Sequence, residues 1–499
     1  MKIIAALLIL LNFLLLIIGF NCCIIKKETY LLVRKERNFV MKLAVLGGGG
    51  VRSPFLAKSI ALGAKEIGIT ETVFMDINEE KLYSYGKIAK RIAEMINPEL
   101  SFSLTSNAKE ALKDADFVIT TIRARGDEGR VFDERTALNE GVLGQETTGA
   151  GGFAMALRSI HILKEYCILA KEVAKKDAPI FNFTNPSGLV TQALRTMGFE
   201  NVYGVCDAPS GFLRQLREIT GEKALNFDCY GLNHLSWFRN FKVGSKDMTE
   251  TVLSHPDLYT KTEMRLFDKE IVNISENDLP NEYLYFYHYR NKAVSSVLSS
   301  SETRGETILR INNHMMEEMR TIDIDNDFEK AFHCFMRHYA MRENSYFSIE
   351  TGKVREEKFP VPTAEEYITQ PDNGGYAGVA LEFIKAKTTG KKVQMVLSVP
   401  NNGAIDFLKD TDVCEISCTV DENGVHPHKI ENIPEMQKNL ILAVKHYENL
   451  TVQAIIEKNR SKAVKALTVH PLVLSYPIAS KLADEYYKEY KEYTGEWNE

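Results

Sequence analysis

Three observations predict an α/β protein built on a doubly wound sheet. Met41 to Pro54, MKLAVLGGGGVRSP, runs from a short apolar strand into four glycines and then into a helical pattern. Beyond it, apolar runs of strand length alternate with amphipathic helical stretches. Several of those runs end in glycine or polar residues, which in an open α/β sheet gather along one rim.

Strand Met41–Leu46 leads into a helix from Pro54 to Lys65, strand Thr72–Asp76, helix Glu79–Ile96 and strand Asp116–Ile122, half of a Rossmann-type sheet. A polar loop, Gly144 to Gly152, precedes a long amphipathic helix from Phe153 to Lys175. Strands Ile180–Phe183 and Val202–Val205 end in Thr184-Asn185-Pro186-Ser187-Gly188 and Cys206-Asp207-Ala208-Pro209. After Gly221 the alternation dissolves. Cys229–Phe238 reads as strand and loop carrying His234, and Tyr283, Tyr285, Tyr287 and Tyr289 alternate like one face of a strand. Helices are expected at Arg304–Arg320, Asp327–Met341, Gly375–Lys387, Pro434–Asn459 and Pro471–Tyr493, with strands at Val393–Val399 and Val413–Val420. The chain therefore divides into an extension over 1–40, a dinucleotide-binding sheet over 41–210, and a mixed α+β domain over 211–499 packed on the rim.

With 44% hydrophobic and 26% charged residues, the composition is that of an ordinary enzyme, and a net charge of -6 gives no reason to expect nucleic acid. Eight cysteines in no paired spacing make no disulfide framework, which fits a reducing, cytoplasmic setting. Ile3 to Ile25 is apolar except for Asn12 and Asn21, enough for the roughly 20 residues that cross a bilayer. Lys26, Lys27, Arg34, Lys35 and Arg37 would keep the body in the cytoplasm if that anchor is real. The competing expectation is a dispensable extension ahead of a true start at Met41.

Gly47, Gly48, Gly49 and Gly50 before a helix N-terminus form a phosphate cradle. The third fingerprint glycine is missing, its place held by Arg52 or Ser53. Asp76 closes the second strand where an acidic side chain takes the ribose hydroxyls of NAD; a glycine turn without ligand is the alternative. Cys206 and His234 pair a thiol with an imidazole, donors that suit a divalent transition metal and leave positions open. Asp207 is an acid, a metal-shell carboxylate or a helix cap, and Asn185 either a substrate hydrogen-bonder or a cap. Arg123 and Arg304 offer forked donors for a phosphate. A tyrosine beside a metal could serve as a base, and nothing local selects which.

The segments MKLAVLGGGGVRSP, ADFVITTIR, GQETTGAGGFAMALR, NFTNPSG, GVCDAPSG, GLNHLSW, GGYAGVALEFI and VPNNGAI together resemble the NAD- and Mn-dependent family 4 glycoside hydrolases, from Met41 to about Glu485. The resemblance implies a glycosidase acting on a phosphorylated disaccharide or glucoside by oxidation at C3, proton removal at C2, elimination and water addition, unlike the paired-carboxylate route. It implies that Cys206 and His234 hold Mn2+ or another divalent metal, and that Asn185, Arg123 and Arg304 bind substrate. Tyr283 is the implied base, and the assembly a homodimer or homotetramer. Asp207 follows the metal cysteine as in α-acting members, whereas GGYAGVALEFI and LPNEYLYFYHY resemble the β-acting branch, so the expectation is a 6-phospho-β-glucosidase with 6-phospho-α-glucosidase or α-galactosidase as alternatives. An NAD-dependent hydroxy-acid dehydrogenase would use the same sheet but produce NADH. A nucleotide-sensing regulatory protein would tolerate loss of His234.

Overall fold

The computed structural model describes residues 41–353, 358–372 and 375–498. The apolar stretch Ile3–Ile25, and with it the anchor and extension readings of 1–40, lies outside them. No helix among the described residues is long and apolar enough to cross a membrane.

Strand β1 (Met41–Leu46) is buried along almost its whole length, as expected of a strand with helices on both faces. It is followed in the chain by β2 (Ile69–Met75), β3 (Ser101–Thr105), β4 (Phe117–Thr120), β5 (Ile180–Asn182) and β6 (Val202–Gly204). These six stand in the order β3-β2-β1-β4-β5-β6. β1 runs parallel to β4, β4 to β5 and β5 to β6, so their carboxyl ends share one rim.

The sheet does not stop at the Rossmann half. Strands β11 (Val393–Pro400), β12 (Val413–Asp421) and β13 (Gly424–Pro427) continue it antiparallel beyond β6, joined where Ser398 pairs with Gly204. A second sheet comprises β7 (Leu225–Leu232), β8 (Leu235–Val243), β9 (Lys246–Asp247) and β10 (Leu279–Pro280). The two sheets are stitched by Cys229 N–H donating to Ser417 Oγ at 2.9 Å.

Several elements differ from the sequence expectation. β3, an edge strand, and helix Gly126–Asn139 were not anticipated, so Asp116–Ile122 supplies the fourth strand and not the third. Glu79–Ile96 is interrupted by a π-helical turn at Leu82–Gly86. The tyrosine run is not a strand: Glu282–Leu284 is a 3₁₀ turn and Tyr285–His288 a helical one, so its alternating residues point in different directions. The chain closes with three helices, Glu435–Glu457, Arg460–Val469 and Tyr476–Thr494, in place of two. The last of them packs on helix Gly126–Asn139, with Tyr490 donating to Asp133 at 2.5 Å. Asp133 in turn faces Arg158 Nη1 at 2.5 Å, both side chains fully buried.

His234 occupies the tight turn between β7 and β8, where Leu232 pairs with Leu235. Gly231 makes the turn possible. Its φ is 134°, and a Cβ there would stand 2.2 Å from the Leu235 carbonyl oxygen. Gly231→Ala is expected to cost on the order of 3 kcal/mol in denaturant unfolding, because the added carbon meets backbone that cannot yield.

Candidate active site

The glycine loop turns off β1 with Gly47 at φ 99°, its Cα so close to β4 that a Cβ would sit 2.5 Å from Thr121 O. Gly47 and Gly48 both donate to Met75 O at 2.8 Å, Gly49 donates to Asp76 Oδ2 at 3.0 Å, and Gly50 donates to Gly47 O at 3.0 Å. The glycine N–H groups are thus satisfied within the protein, and the loop shapes the cleft more than it fills it with donors. What it leaves open follows at once. Val51 N–H has no acceptor among the described residues, and Ser53 Oγ is buried without a partner at the start of helix Ser53–Ile67. An open N–H and an orphaned hydroxyl at a helix N-terminus fit an anionic group such as a dinucleotide's pyrophosphate. Asp76 lies beside them with its second oxygen accepting from Asn78 N at 2.9 Å.

Across the rim, Cys206 follows β6 and His234 stands in the β7–β8 turn with φ 64°. Cys206 Sγ and His234 Nε2 are 3.5 Å apart, the edge length of two ligands on one transition-metal ion. Burial pushes the Cys206 thiol up and the His234 imidazole down to about 4, so without a cation both are neutral. His234 Nδ1 is buried with no hydrogen bond. A neutral imidazole and a thiol that a cation would ionise, two donors with the remaining positions open, fit a divalent metal.

Tyr283 stacks on that imidazole, ring centroids 3.9 Å apart and planes 22° from parallel. Its hydroxyl lies 3.2 Å from that of Tyr346, which is 2.9 Å from Glu282 Oε1, so a chain of oxygens runs from the phenol to a carboxylate. Burial, with Glu282 next, holds the Tyr283 phenol well above its ordinary range. Of the four tyrosines, Tyr283 alone stacks on His234: Tyr287 bonds Thr148 Oγ1 at 2.6 Å and Tyr289 bonds Asp268 Oδ2 at 3.0 Å.

Asn185 is half-buried, and neither of the candidate caps serves as one. Pro186 is the N-cap of helix Ser187–Thr196, and Asp207 at the start of Ala208–Thr220 makes no side-chain cap. Asp207 instead accepts from Arg52 Nη1 at 3.2 Å, tying the glycine loop to the Cys206 segment. The residue in the missing glycine's place has this role.

The two arginines differ. Arg123 is held by Glu146, with Asp127 Oδ1 3.7 Å from its Nε, so its charge is already matched. Arg304 opens helix Arg304–Met319 and bonds Ser345 Oγ and, at 2.8 Å, the Arg342 carbonyl oxygen; no carboxylate among the described residues bonds it directly, although Glu350 and Glu343 act on its charge. Burial, reinforced by Arg130, pushes it down to about 10. A desolvated guanidinium beside other arginines is a place for a polyanion.

Sequence reading missed the residue beneath the turn. Glu415 on β12 is 1% exposed and accepts from Asn233 Nδ2 and Ser236 Oγ, both at 2.9 Å, gripping the residues on either side of His234 and Leu235. Asn233 Oδ1 also accepts from Gly188 N at 3.2 Å, joining the turn to the TNPSG segment. The signal was present as a charge in the interior of the largely buried strand VCEISCTVD.

Comparison with known proteins bears on this geometry. The family described as "Family 4 glycosyl hydrolase" matches residues 42–222, and "Family 4 glycosyl hydrolase C-terminal domain" matches 229–473. The chain is 29% identical over 467 residues to a 6-phospho-beta-glucosidase of Thermotoga maritima, covering 91% of this chain and 99% of the relative. It is 26% identical over 481 residues to a maltose-6'-phosphate glucosidase of Clostridium acetobutylicum, with 91% and 99% covered. The Thermotoga enzyme's structure with manganese, NAD+ and glucose-6-phosphate superposes with a TM-score of 0.75 at 28% identity, covering 92% of this chain and 100% of that one. A 6-phospho-alpha-glucosidase from gut microorganisms in complex with NAD and glucose-6-phosphate gives 0.74 at 26% identity, with the same coverage.

No cation among the described residues pairs with Glu415, and burial pushes its carboxyl up to about 7. The folded state therefore holds a proton that the unfolded chain releases near 4.5, and stability falls as pH rises from about 4.5 to 7, by on the order of 3 kcal/mol. Glu415→Gln is expected to flatten the melting temperature across that interval, measured by calorimetry in matched buffers.

Proposed function

The chain belongs to family 4 of the glycosyl hydrolases, and on that premise we propose that it is a cytoplasmic 6-phospho-β-glucosidase dependent on NAD and a divalent metal such as Mn2+. The observation that carries the reading is the approach of Cys206 Sγ to His234 Nε2 at 3.5 Å with Tyr283 stacked alongside. Arg304, buried and bonded directly by no carboxylate among the described residues, supports a phosphorylated substrate. The β preference is supported by the Thermotoga relative and by the GGYAGVALEFI and LPNEYLYFYHY segments. Asp207, the feature shared with α-acting members, is engaged by Arg52. The six described cysteines are free thiols, in keeping with a reducing compartment.

When bound, NAD supplies a reversible hydride acceptor at the sugar's C3 and the metal polarises neighbouring oxygens, which makes the C2 proton removable. The chain's residues do the rest. Val51 N–H and Ser53 Oγ hold the dinucleotide's pyrophosphate and Asp76 its ribose, while Cys206 and His234 hold the metal. Arg304 grips the 6-phosphate through its fork, while Arg123 and Arg130 keep the adjoining Glu146 neutralised. Asn185, free of helix capping, is available to a sugar hydroxyl. With a cation held beside it favouring the phenolate, Tyr283 would receive the C2 proton on its oxygen, and Tyr346 beside it gives that oxygen a hydrogen-bond partner.

Assayed on paired α- and β-linked chromogenic 6-phosphoglucosides, the protein is expected to cleave the β series only when NAD and metal are both supplied, with no net NADH. Hydrolysis that persists without nucleotide overturns the reading. Tyr283→Phe is expected to lower kcat by about 10²- to 10⁴-fold with little change in KM. Arg304→Ala is expected to raise KM for the phosphorylated substrate by about 10- to 100-fold, visible in steady-state kinetics, and to leave unphosphorylated glucosides as poor as before.

A further inference from the structure

Helices Arg304–Met319 and Phe328–Asn344 pack antiparallel. At one end Arg304 bonds Ser345 and the Arg342 carbonyl; at the other, Arg337 pairs with Glu318. Beside that second pair stand two buried side chains of metal-binding type, Cys334 and His338, one helical turn apart on the same face. Neither takes part in the site described above.

We propose that Glu318, Cys334 and His338 form a second, structural cation site selective for an ion of the zinc class, one that clips the two helices together. A donor atom of each residue lies within 4.8 Å of those of the other two, the one such group among the described residues. Cys334 Sγ is 3.8 Å from His338 Nδ1, and His338 Nε2 is 4.0 Å from Glu318 Oε2. Bonds of about 2.0–2.3 Å in a tetrahedral shell put ligand atoms some 3.3–3.8 Å apart; the Nε2–Oε2 pair stands near that span, and the Cys334 thiol, which now faces the Nδ1 edge of the ring, closes the set by rotating toward Nε2. The histidine is already in the right tautomer. Its Nδ1–H donates to the Cys334 carbonyl oxygen at 2.9 Å, which leaves the Nε2 lone pair facing Glu318, the arrangement by which backbone carbonyls orient metal-bound imidazoles. Glu318, about half exposed, gives the cluster an outer side where water supplies the fourth ligand. The charge balance also favours a cation, since the carboxylate now turns to Arg337, which is exposed enough to swing away when an ion takes its place. A thiolate, an imidazole and a carboxylate select zinc over magnesium or calcium. A clip at this end would stiffen the helix pair whose other end carries Arg304 and Arg342.

The test uses full-length Cys206→Ser protein, which removes the thiol of the first site, stripped with a chelator and titrated with Co2+ alone. The expected result is one equivalent of Co2+ with thiolate-to-cobalt charge-transfer absorption, together with a rise in melting temperature on adding Zn2+. Both are expected to vanish in Cys206→Ser/Cys334→Ser. In Cys206→Ser/Glu318→Gln, a change at a half-exposed position that leaves the core intact, Co2+ affinity is expected to fall at least about tenfold. No absorption and no Zn2+ stabilisation in Cys206→Ser overturns the proposal, leaving Glu318 as the partner of Arg337 alone. Absorption that survives Cys334→Ser, or affinity unchanged by Glu318→Gln, overturns it too.

Discussion

Cys206 leaves the large sheet at the end of β6, His234 rides on a hairpin of the small one, and a single buried carboxylate governs whether they meet. Glu415 belongs to β12 in the large sheet yet bonds Asn233 and Ser236 in the small one. It fixes the turn relative to the strand ends without bonding either Cys206 or His234. A residue that holds a strained φ of 64° in a two-residue turn needs such anchorage, because left-handed backbone persists only where surroundings over-determine it. Gly188 N–H adds a third tie, from the element that presents Asn185. The site thus rests on a small polar network that spans two sheets and three chain segments.

The parallel half was legible because its strands are buried on both faces and read as continuous apolar runs between helices. β3, SFSLT, escaped notice because an edge strand alternates and carries hydroxyls. Helix Gly126–Asn139 escaped for the opposite reason. Its Arg130, Asp133 and Glu134 look like a solvated face, whereas all three are buried and paired. The tyrosines show how period two misleads: spacing alone does not separate a strand face from successive short helical turns.

The candidate site divides along similar lines. Residues at strand ends, Gly47 to Gly50, Asp76, Asn185 and Cys206, were readable from topology, since parallel strands deliver their carboxyl ends to a common rim. The difference between Arg123 and Arg304 was not. Both follow the same residue chemistry, and only the fold reveals that Glu146 and Asp127 pair directly with one while no carboxylate among the described residues bonds the other. Pairing across hundreds of residues leaves no local trace, and the same holds for the engagement of Asp207 by Arg52.

The continuation of the large sheet has a consequence for synthesis on the ribosome. β6 pairs with β11, which lies far downstream, and the buried Asp133–Arg158 pair is roofed by Tyr490 in the last helix. As the chain emerges, the nucleotide-binding half would therefore sit with an open strand edge and an uncovered ion pair until nearly everything after it had been translated. Such a nascent intermediate is the natural client of a chaperone. The two halves follow one another along the chain, but the first is closed only by elements of the second.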